Sequence, residues 1–135
     1  MSKLPTIYLA DSDPYVHNLL EVAFPAAEFN FSGALRGMQA VEHLRASTPS
    51  ILLLDSELPE VGGLELCGRL KRMTRFKHVP VIVLAPALDP RTKDGAILAR
   101  ADKVIDKPIS AKHLLILVRN LLRQAQENQA LVTRA

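Results

Sequence analysis

Three aspartates and one lysine stand out in this sequence because together they could act on a phosphate group. Asp11 and Asp13 follow one apolar run, Asp55 follows another, and Lys107 follows a third. Carboxylate oxygens bind hard cations such as Mg²⁺, and a carboxylate can attack phosphorus to give an aspartyl phosphate. A lysine and a metal ion supply the positive charge that a transferring phosphoryl group needs. These residue types therefore predict phosphoryl chemistry if the fold brings them together.

The apolar runs that precede these residues predict strands. Strong runs cover residues 7–10, 51–54 and 79–84, and weaker ones cover residues 29–34 and 103–106. Runs without polar alternation indicate strands buried on both faces of a parallel sheet, where ligands bind beyond the carboxyl ends. The residues placed at that edge are Asp11, Ser12, Asp13, Asp55, Ala85 and Lys107. Taken singly they suit turns, helix caps or solvated surface, but their joint placement favours a site.

Helical patterns separate the strands. Apolar residues recur every three to four positions in segments 13–24, 38–46, 64–73 and 91–99, and again after Ser110, a good N-cap residue. Because parallel strands need right-handed crossovers, five βα units predict a three-layer α/β sandwich. Residues 1–124 are assigned to this domain. Residues 125–135 are a helical extension or tail, which either frays or leads toward an output domain.

The composition bounds the class of protein. The chain has 135 residues, which suits one domain, and its longest apolar stretch is shorter than the roughly 20 residues of a membrane span. The start of the sequence has no secretory signal pattern. The single cysteine, Cys67, cannot form an internal disulfide and is expected in the core. A reducing, cytoplasmic location is therefore predicted.

Charge is distributed unevenly around a formal net charge of +3. Residues 1–68 carry a balance of −6, which suits a cation site. Residues 69–135 carry a balance of +9, which suits either an anionic partner or a solvated surface. The basic run from Arg69 to Lys77 holds a single aromatic residue, Phe76, and not a series of base-stacking aromatics. Nucleic-acid binding is therefore not expected of this domain.

Two weaker patterns have ordinary explanations. The four histidines show no metal-ligand spacing, so surface positions are predicted for them. The Gly62-Gly63 pair has no phosphate-binding loop pattern around it, and a turn that requires positive φ is sufficient to explain it.

Four segments, in this order along the chain, resemble the receiver domain of response regulators. They are residues 7–14 (IYLADSDP), 52–66 (LLLDSELPEVGGLEL), 79–84 (VPVIVL) and 101–108 (ADKVIDKP). They resemble the family's first strand with its acidic turn, its phospho-acceptor loop, its fourth strand, and its fifth strand with a Lys-Pro pair. The resemblance covers about residues 5–124. It implies a flavodoxin-like (βα)5 fold with a parallel five-stranded sheet in order 2-1-3-4-5.

The resemblance also implies a role for each matching residue. Asp55 is implied to be the phospho-acceptor, and Lys107 the lysine that binds the phosphoryl group. Asp11 is implied to be a metal-site acid, and Glu57 a metal ligand through its backbone carbonyl, so that these two residues and Asp55 bind Mg²⁺ as the cofactor. The Lys107–Pro108 peptide bond is implied to be cis.

The sequence departs from the family pattern at three positions. Where the family has a second acid after the first strand, this chain has Ser12, and Asp13 points elsewhere if it begins the helix. Ser12 or Asp13 is a further candidate metal ligand, but the missing charge predicts weak Mg²⁺ binding. Ala85 replaces the family's Thr or Ser, and Val104 replaces its switch aromatic. The acceptor and the lysine are therefore kept, while both movable parts of the switch are degenerate.

The leading hypothesis is phospho-acceptor signalling, in which a histidine kinase or a phosphotransfer protein donates to Asp55 with Mg²⁺. The domain is then no enzyme beyond self-phosphorylation and self-dephosphorylation. The alternative is a pseudo-receiver, an interaction module that works without phosphorylation. A small phosphatase or transferase has little support because no general acid can be named. An output domain, a partner protein and a homodimer stay open, and no membrane contact is expected.

Overall fold

The computed structural model describes residues 3–87 and 89–134, with side chains described as far as Leu131. Five strands and five helices alternate along the chain. The strands are β1 (Thr6–Ala10), β2 (Asn30–Ala34), β3 (Ile51–Asp55), β4 (Val81–Ala85) and β5 (Lys103–Asp106). The helices are α1 (Pro14–Ala23), α2 (Gly37–Ala46), α3 (Gly63–Lys71), α4 (Pro90–Leu98) and α5 (Ala111–Arg134), with a 3-10 turn at Thr74–Phe76.

The strands form one parallel sheet in the order β2-β1-β3-β4-β5. This order confirms the predicted flavodoxin-like fold. It places the carboxyl ends of β1, β3 and β4 side by side in the middle of the sheet, with β5 at one margin. The residues that follow these strands therefore share one edge, as the parallel topology requires.

The start of β4 differs from the prediction. The apolar run at residues 79–84 predicted a strand from Val79, but β4 begins at Val81. The amide of Val79 donates instead to the carbonyl of Phe76 at 3.1 Å, so that residue still belongs to the turn that follows the 3-10 segment. Pro80 follows without an amide hydrogen, and the ladder begins after it.

Side chains of the central strands alternate between two apolar cores, one on each face of the sheet. Ile7, Leu9, Ile51 and Leu53 pack on one face, against α1 and α5. Tyr8, Ala10, Leu52 and Leu54 pack on the other face, against α2 and α3. All of β3 is buried, which explains why its sequence is a continuous apolar run rather than an alternating one.

Cys67 belongs to the second of these cores, as predicted. Its side chain is fully buried, and the thiol donates to the carbonyl of Ala99 at 3.4 Å. Burial raises the pKa of the thiol to about 11. Because the thiolate is the reactive form, this cysteine is a packing residue.

Basic side chains after α3 also serve the fold. The Lys71 ammonium lies 3.1 Å from Asp102 and is largely buried. The Arg75 guanidinium donates to the backbone carbonyls of Leu44 and Ser47, across the gap between α2 and the 3-10 turn. These two residues hold neighbouring segments together, which leaves a smaller free basic surface than the sequence alone indicates.

Helix α5 is the longest of the described helices and runs for 24 residues. The Ser110 hydroxyl accepts the amide hydrogen of His113 at 3.3 Å, which confirms the predicted cap. The helix continues without a break through residues 125–134, and Leu131 is exposed. No helix in the described part of the chain combines the length and apolar character needed to cross a membrane.

An ion pair joins α5 to the turn before β2. Arg119 binds Glu28 through two hydrogen bonds, of 2.7 and 2.6 Å. These bonds lower the pKa of the Glu28 carboxyl below its usual value. A carboxyl with a lowered pKa stabilises the folded state above its unfolded pKa, and the contribution is lost as pH falls through the folded pKa.

We therefore expect Glu28→Gln to lower the thermal unfolding midpoint slightly at neutral pH, and to have little effect once the pH falls well below about 4. Thermal unfolding followed by circular dichroism across this range checks the effect. Glu21→Gln is the control, since Glu21 is exposed and makes no ion pair among the described residues. A pH-independent difference between Glu28→Gln and the wild type would contradict the assigned ion pair.

Candidate functional site

Lys107 lies between two buried aspartates at the carboxyl edge of the sheet. Its Nζ atom is 2.9 Å from Asp11 Oδ2 and 3.5 Å from Asp55 Oδ2. Asp11 is fully buried and Asp55 nearly so, whereas the Lys107 side chain keeps 31% of its surface exposed. The structure thus brings together three of the predicted site residues, although the two aspartates are 44 positions apart in the chain.

Both carboxylates are oriented by the backbone two residues further on. Asp11 Oδ1 accepts the amide hydrogen of Asp13 at 2.9 Å, and Asp55 Oδ1 accepts that of Glu57 at 3.0 Å. These contacts are turns of the kind that aspartates commonly form. In each residue one oxygen makes the turn while the other faces Lys107. The turn-forming role and the site role therefore coexist.

Lys107 is positioned by the β4–β5 ladder. Its amide donates to the carbonyl of Ala85 at 2.8 Å, one step beyond the end of β5. The Lys107–Pro108 peptide bond is cis, as the family resemblance implied. Burial alone would lower the pKa of this ammonium, but the hydrogen bond and charge of Asp11, together with Asp55, outweigh burial and raise the pKa. Lys107 is therefore a cation at neutral pH.

The charges at this edge fit a divalent cation. Two buried carboxylates face a single ammonium, so one negative charge is left uncompensated. Asp11 Oδ2 accepts no hydrogen bond from the described residues apart from its ion pair with Lys107. Oxygen ligands of this kind suit Mg²⁺, which usually keeps several waters. No three histidine, cysteine or acidic side chains in the described ranges are grouped so that they could hold a metal ion together, so a backbone carbonyl such as that of Glu57 would have to complete the site.

The two further candidate ligands at this edge differ in placement. Asp13 is the N-cap residue of α1, and its Oδ1 accepts the amide hydrogen of Tyr15 at 2.9 Å. Its carboxylate therefore caps the helix, as the sequence indicated. Ser12 is exposed and brings no charge. Asp11 and Asp55 are thus the two acids that face Lys107.

Ala85 and Val104 stand at the two positions where the family pattern has its switch groups. Ala85 is fully buried at the end of β4 and pairs with Asp106. Val104 is partly buried in β5 and pairs with Val83. The first offers a methyl group and the second a branched aliphatic chain, so neither supplies a hydroxyl or a ring.

The loop after Asp55 contains a contact that sequence reasoning missed. Glu60 adopts a positive φ of 74°, and its Oε1 accepts the amide hydrogen of Met38 at 3.1 Å. It thereby caps α2, whose own N-cap residue, Arg36, provides no side-chain bond. No local pattern pointed to this contact, because its partners are 22 residues apart.

The expectation of positive φ at Gly62 and Gly63 is wrong. Neither glycine has a positive φ, and the left-handed residue in this loop is Glu60. Gly63 is required for a different reason, which is the close approach of α3 to the backbone of Asp55. A Cβ on Gly63 would lie 2.1 Å from the carbonyl oxygen of Asp55, whereas one on Gly62 would meet only Ser56 O at 3.6 Å.

A parallel three-layer α/β domain whose strand ends bring together two buried aspartates and a lysine defines a receiver-type signalling domain. The comparison with protein families agrees. The model of the response regulator receiver domain matches residues 7–119, and the chain belongs to this family. Receiver domains are signalling domains of two-component systems that generally bind Mg²⁺ at their acidic site.

Individual relatives show how the chain matches. The phosphate regulon transcriptional regulatory protein PhoB of Rhizobium meliloti is 31% identical over 91% of this chain and 54% of its own length. The transcriptional regulator RpaA of Synechocystis is 29% identical over 90% of the chain and 50% of its own length. The chain thus spans about half the length of these regulators. The receiver domain of a histidine kinase from Syntrophus aciditrophicus superposes with a TM-score of 0.81 at 27% identity, covering 89% of this chain and 91% of that one.

Gly62 and Gly63 allow a matched test of the crowding between α3 and the backbone of Asp55. We expect Gly63→Ala to destabilise the fold by about 1–3 kcal/mol, because its Cβ would overlap the Asp55 carbonyl. Gly62→Ala should change stability by no more than about 0.5–1 kcal/mol, since its φ of −61° suits any residue. Urea unfolding of both variants checks this. Equal effects in the two would show that the close approach at Gly63 is not what requires glycine.

Proposed function

We propose that this domain accepts a phosphoryl group on Asp55 from a histidine kinase or a phosphotransfer protein. The observation that carries the proposal is the position of Lys107 Nζ between Asp55 Oδ2 and Asp11 Oδ2 at the edge of the sheet. A lysine at this place neutralises charge on a phosphoryl group attached to Asp55. Membership of the receiver family supports the same role.

The transfer is a displacement at phosphorus. A carboxylate oxygen of Asp55 attacks the phosphorus of a phosphohistidine, and a new O–P bond forms from its electron pair. The N–P bond of the donor breaks, its electrons return to the imidazole nitrogen, and the imidazole takes up a proton from solvent. Catalysis of such transfers comes from positioning and charge, which are what this site offers.

The metal site follows from the same residues. Asp11, Asp55 and the backbone carbonyl of Glu57 would hold Mg²⁺, which supplies positive charge to the transferring group. Lys107 would add a further positive charge beside both carboxylates, available to a phosphoryl group on Asp55. Since Ser12 brings no carboxylate, binding is weaker than at a site with a further acid.

The proposal also covers the boundaries of the domain and its signalling partners. We assign residues 1–124 to the receiver and residues 125–135 to its C-terminal extension. The two regulators described above are named for transcriptional control, and the solved neighbour is part of a histidine kinase. Such relatives support a place in a cytoplasmic phosphorelay, with a histidine kinase upstream and an output domain or protein downstream.

The acceptor assignment is tested by intact mass. Incubation with a small phosphodonor and Mg²⁺ should add one phosphoryl group to the wild type and none to Asp55→Asn, which lacks the nucleophilic carboxylate. Asp13→Asn is the control, because Asp13 caps α1 and should leave labelling in place. Labelling that survives in Asp55→Asn would sink the assignment. A folded wild type that takes up no phosphoryl group would favour a phosphorylation-independent interaction module.

Phosphorylation at this site is expected to move the structure only slightly. A hydrogen bond to a charged group contributes roughly 1.5–3 kcal/mol, while driving a two-state switch nearly to completion takes roughly 5.5 kcal/mol. Ala85 has no hydroxyl to move, and Val104 is stiff at χ1 with no ring to turn. Pro86 further restrains the loop after β4 by fixing φ. The contacts that would distinguish two states are therefore few.

Amide chemical shifts with and without beryllofluoride, a stable phosphoryl mimic, measure this response. We expect changes concentrated in the acceptor loop and around Lys107, with small changes elsewhere in residues 85–110. The same titration of Asp55→Asn controls for nonspecific binding. Large changes spread across residues 85–110 would show a switching route that does not use positions 85 and 104.

A further inference from the structure

The hydroxyl of Ser56 is buried without a hydrogen-bond partner. Its Oγ atom has almost no solvent exposure and contacts no donor or acceptor among the described residues. Native structures rarely leave a buried hydroxyl unsatisfied, because its lost hydration is not replaced. In contrast to Ser50, whose hydroxyl accepts the amide hydrogen of Thr6 at 3.0 Å, Ser56 has no structural bond that explains it.

Ser56 is the first residue after β3 and lies beside the end of β4. Its amide donates to the carbonyl of Leu84 at 2.9 Å, which extends the pairing of Asp55 with Leu84 by one residue. That bond places Ser56 beside the junction of Leu84 and Ala85, where the end of β4 offers a methyl group and no side-chain hydroxyl.

The acceptors nearest in sequence are already engaged. Asp55 Oδ1 accepts the amide hydrogen of Glu57, and Asp55 Oδ2 faces Lys107. A phosphoryl group on Asp55 would bring three strong acceptor oxygens to this place. Because Ser56 is the next residue in the chain, its hydroxyl needs only a rotation about χ1, between ordinary staggered rotamers, to change direction.

We propose that the Ser56 hydroxyl donates a hydrogen bond to a phosphoryl oxygen on Asp55 and so supplies, from the loop after β3, the contact that Ala85 cannot supply from β4. Ser56 is thus a further phosphoryl-binding residue of this domain. The inference rests on the proposed phosphorylation of Asp55. It also agrees with a small structural response, since the donor sits in the acceptor loop and β4 need not move.

The test is the Ser56→Ala variant, with beryllofluoride and Mg²⁺ as the probe. We expect its affinity for beryllofluoride, measured by calorimetric titration, to fall about tenfold, which is the effect of losing one hydrogen bond to a charged group. The unfolding midpoint of the free protein should stay the same or rise, because no hydrogen bond is lost. A hydroxyl with a purely structural role should behave in the opposite way. Ser50→Ala is the control, because it loses the bond to Thr6. It should lower the unfolding midpoint and leave the affinity for beryllofluoride unchanged.

A double variant tests whether a hydroxyl at position 85 can replace the hydroxyl at position 56. Adding Ala85→Ser to Ser56→Ala restores a hydroxyl at the end of β4, and most of the lost affinity should return. Equal affinity of the wild type and Ser56→Ala would overturn the inference alone, as would a failed rescue or a loss of affinity matched by a loss of stability in the free protein. No binding of the probe by the wild type would overturn the proposed function, and this inference with it.

Discussion

Two carboxylates buried side by side are the constraint on which the rest of this structure depends. Asp11 and Asp55 lie at or just beyond the ends of β1 and β3, where little water can solvate their charges. The Lys107 ammonium contacts both and offsets their repulsion. Removing the lysine would leave uncompensated buried charge, which is strongly destabilising. Only the parallel order of the strands brings these three residues, from distant parts of the chain, to one edge.

The loop after Asp55 is held by contacts on several sides. Asp55 is fixed at one oxygen by its own backbone turn, and α3 approaches so closely that Gly63 has no room for a side chain. Glu60 ties the loop to α2. A charged group added to Asp55 therefore meets groups that are already in place, rather than groups that must travel. Such preorganisation favours capture of the phosphoryl group and limits how far the capture is transmitted.

The fold and the central residues of the site could be predicted from sequence because their signals are local. Buried parallel strands require continuous apolar runs, and a polar residue directly after such a run is at the sheet edge, which located Asp11 and Asp55. Lys107 follows the weaker and only partly buried strand β5. The contacts that sequence analysis missed join distant segments. The Glu60 cap and the close approach at Gly63 depend on the exact packing of helices on the sheet. No periodicity encodes such distances, so the glycine was assigned to backbone conformation when crowding is the cause.

Without the two switch groups, a partner protein has fewer ways to recognise a phosphoryl group on Asp55. The phosphoryl group would add a charge of about −1.5 to −2 at the carboxyl edge of the sheet. Where a conformational relay exists, that charge alters a distant surface, but Ala85 and Val104 give this domain little means of doing so. Direct electrostatic influence fades over about 8 Å at physiological salt. A partner that responds to phosphorylation would therefore have to contact the carboxyl edge of the sheet directly. By contrast, the exposed Ile97 and Leu98 of α4 would remain the same surface in either state.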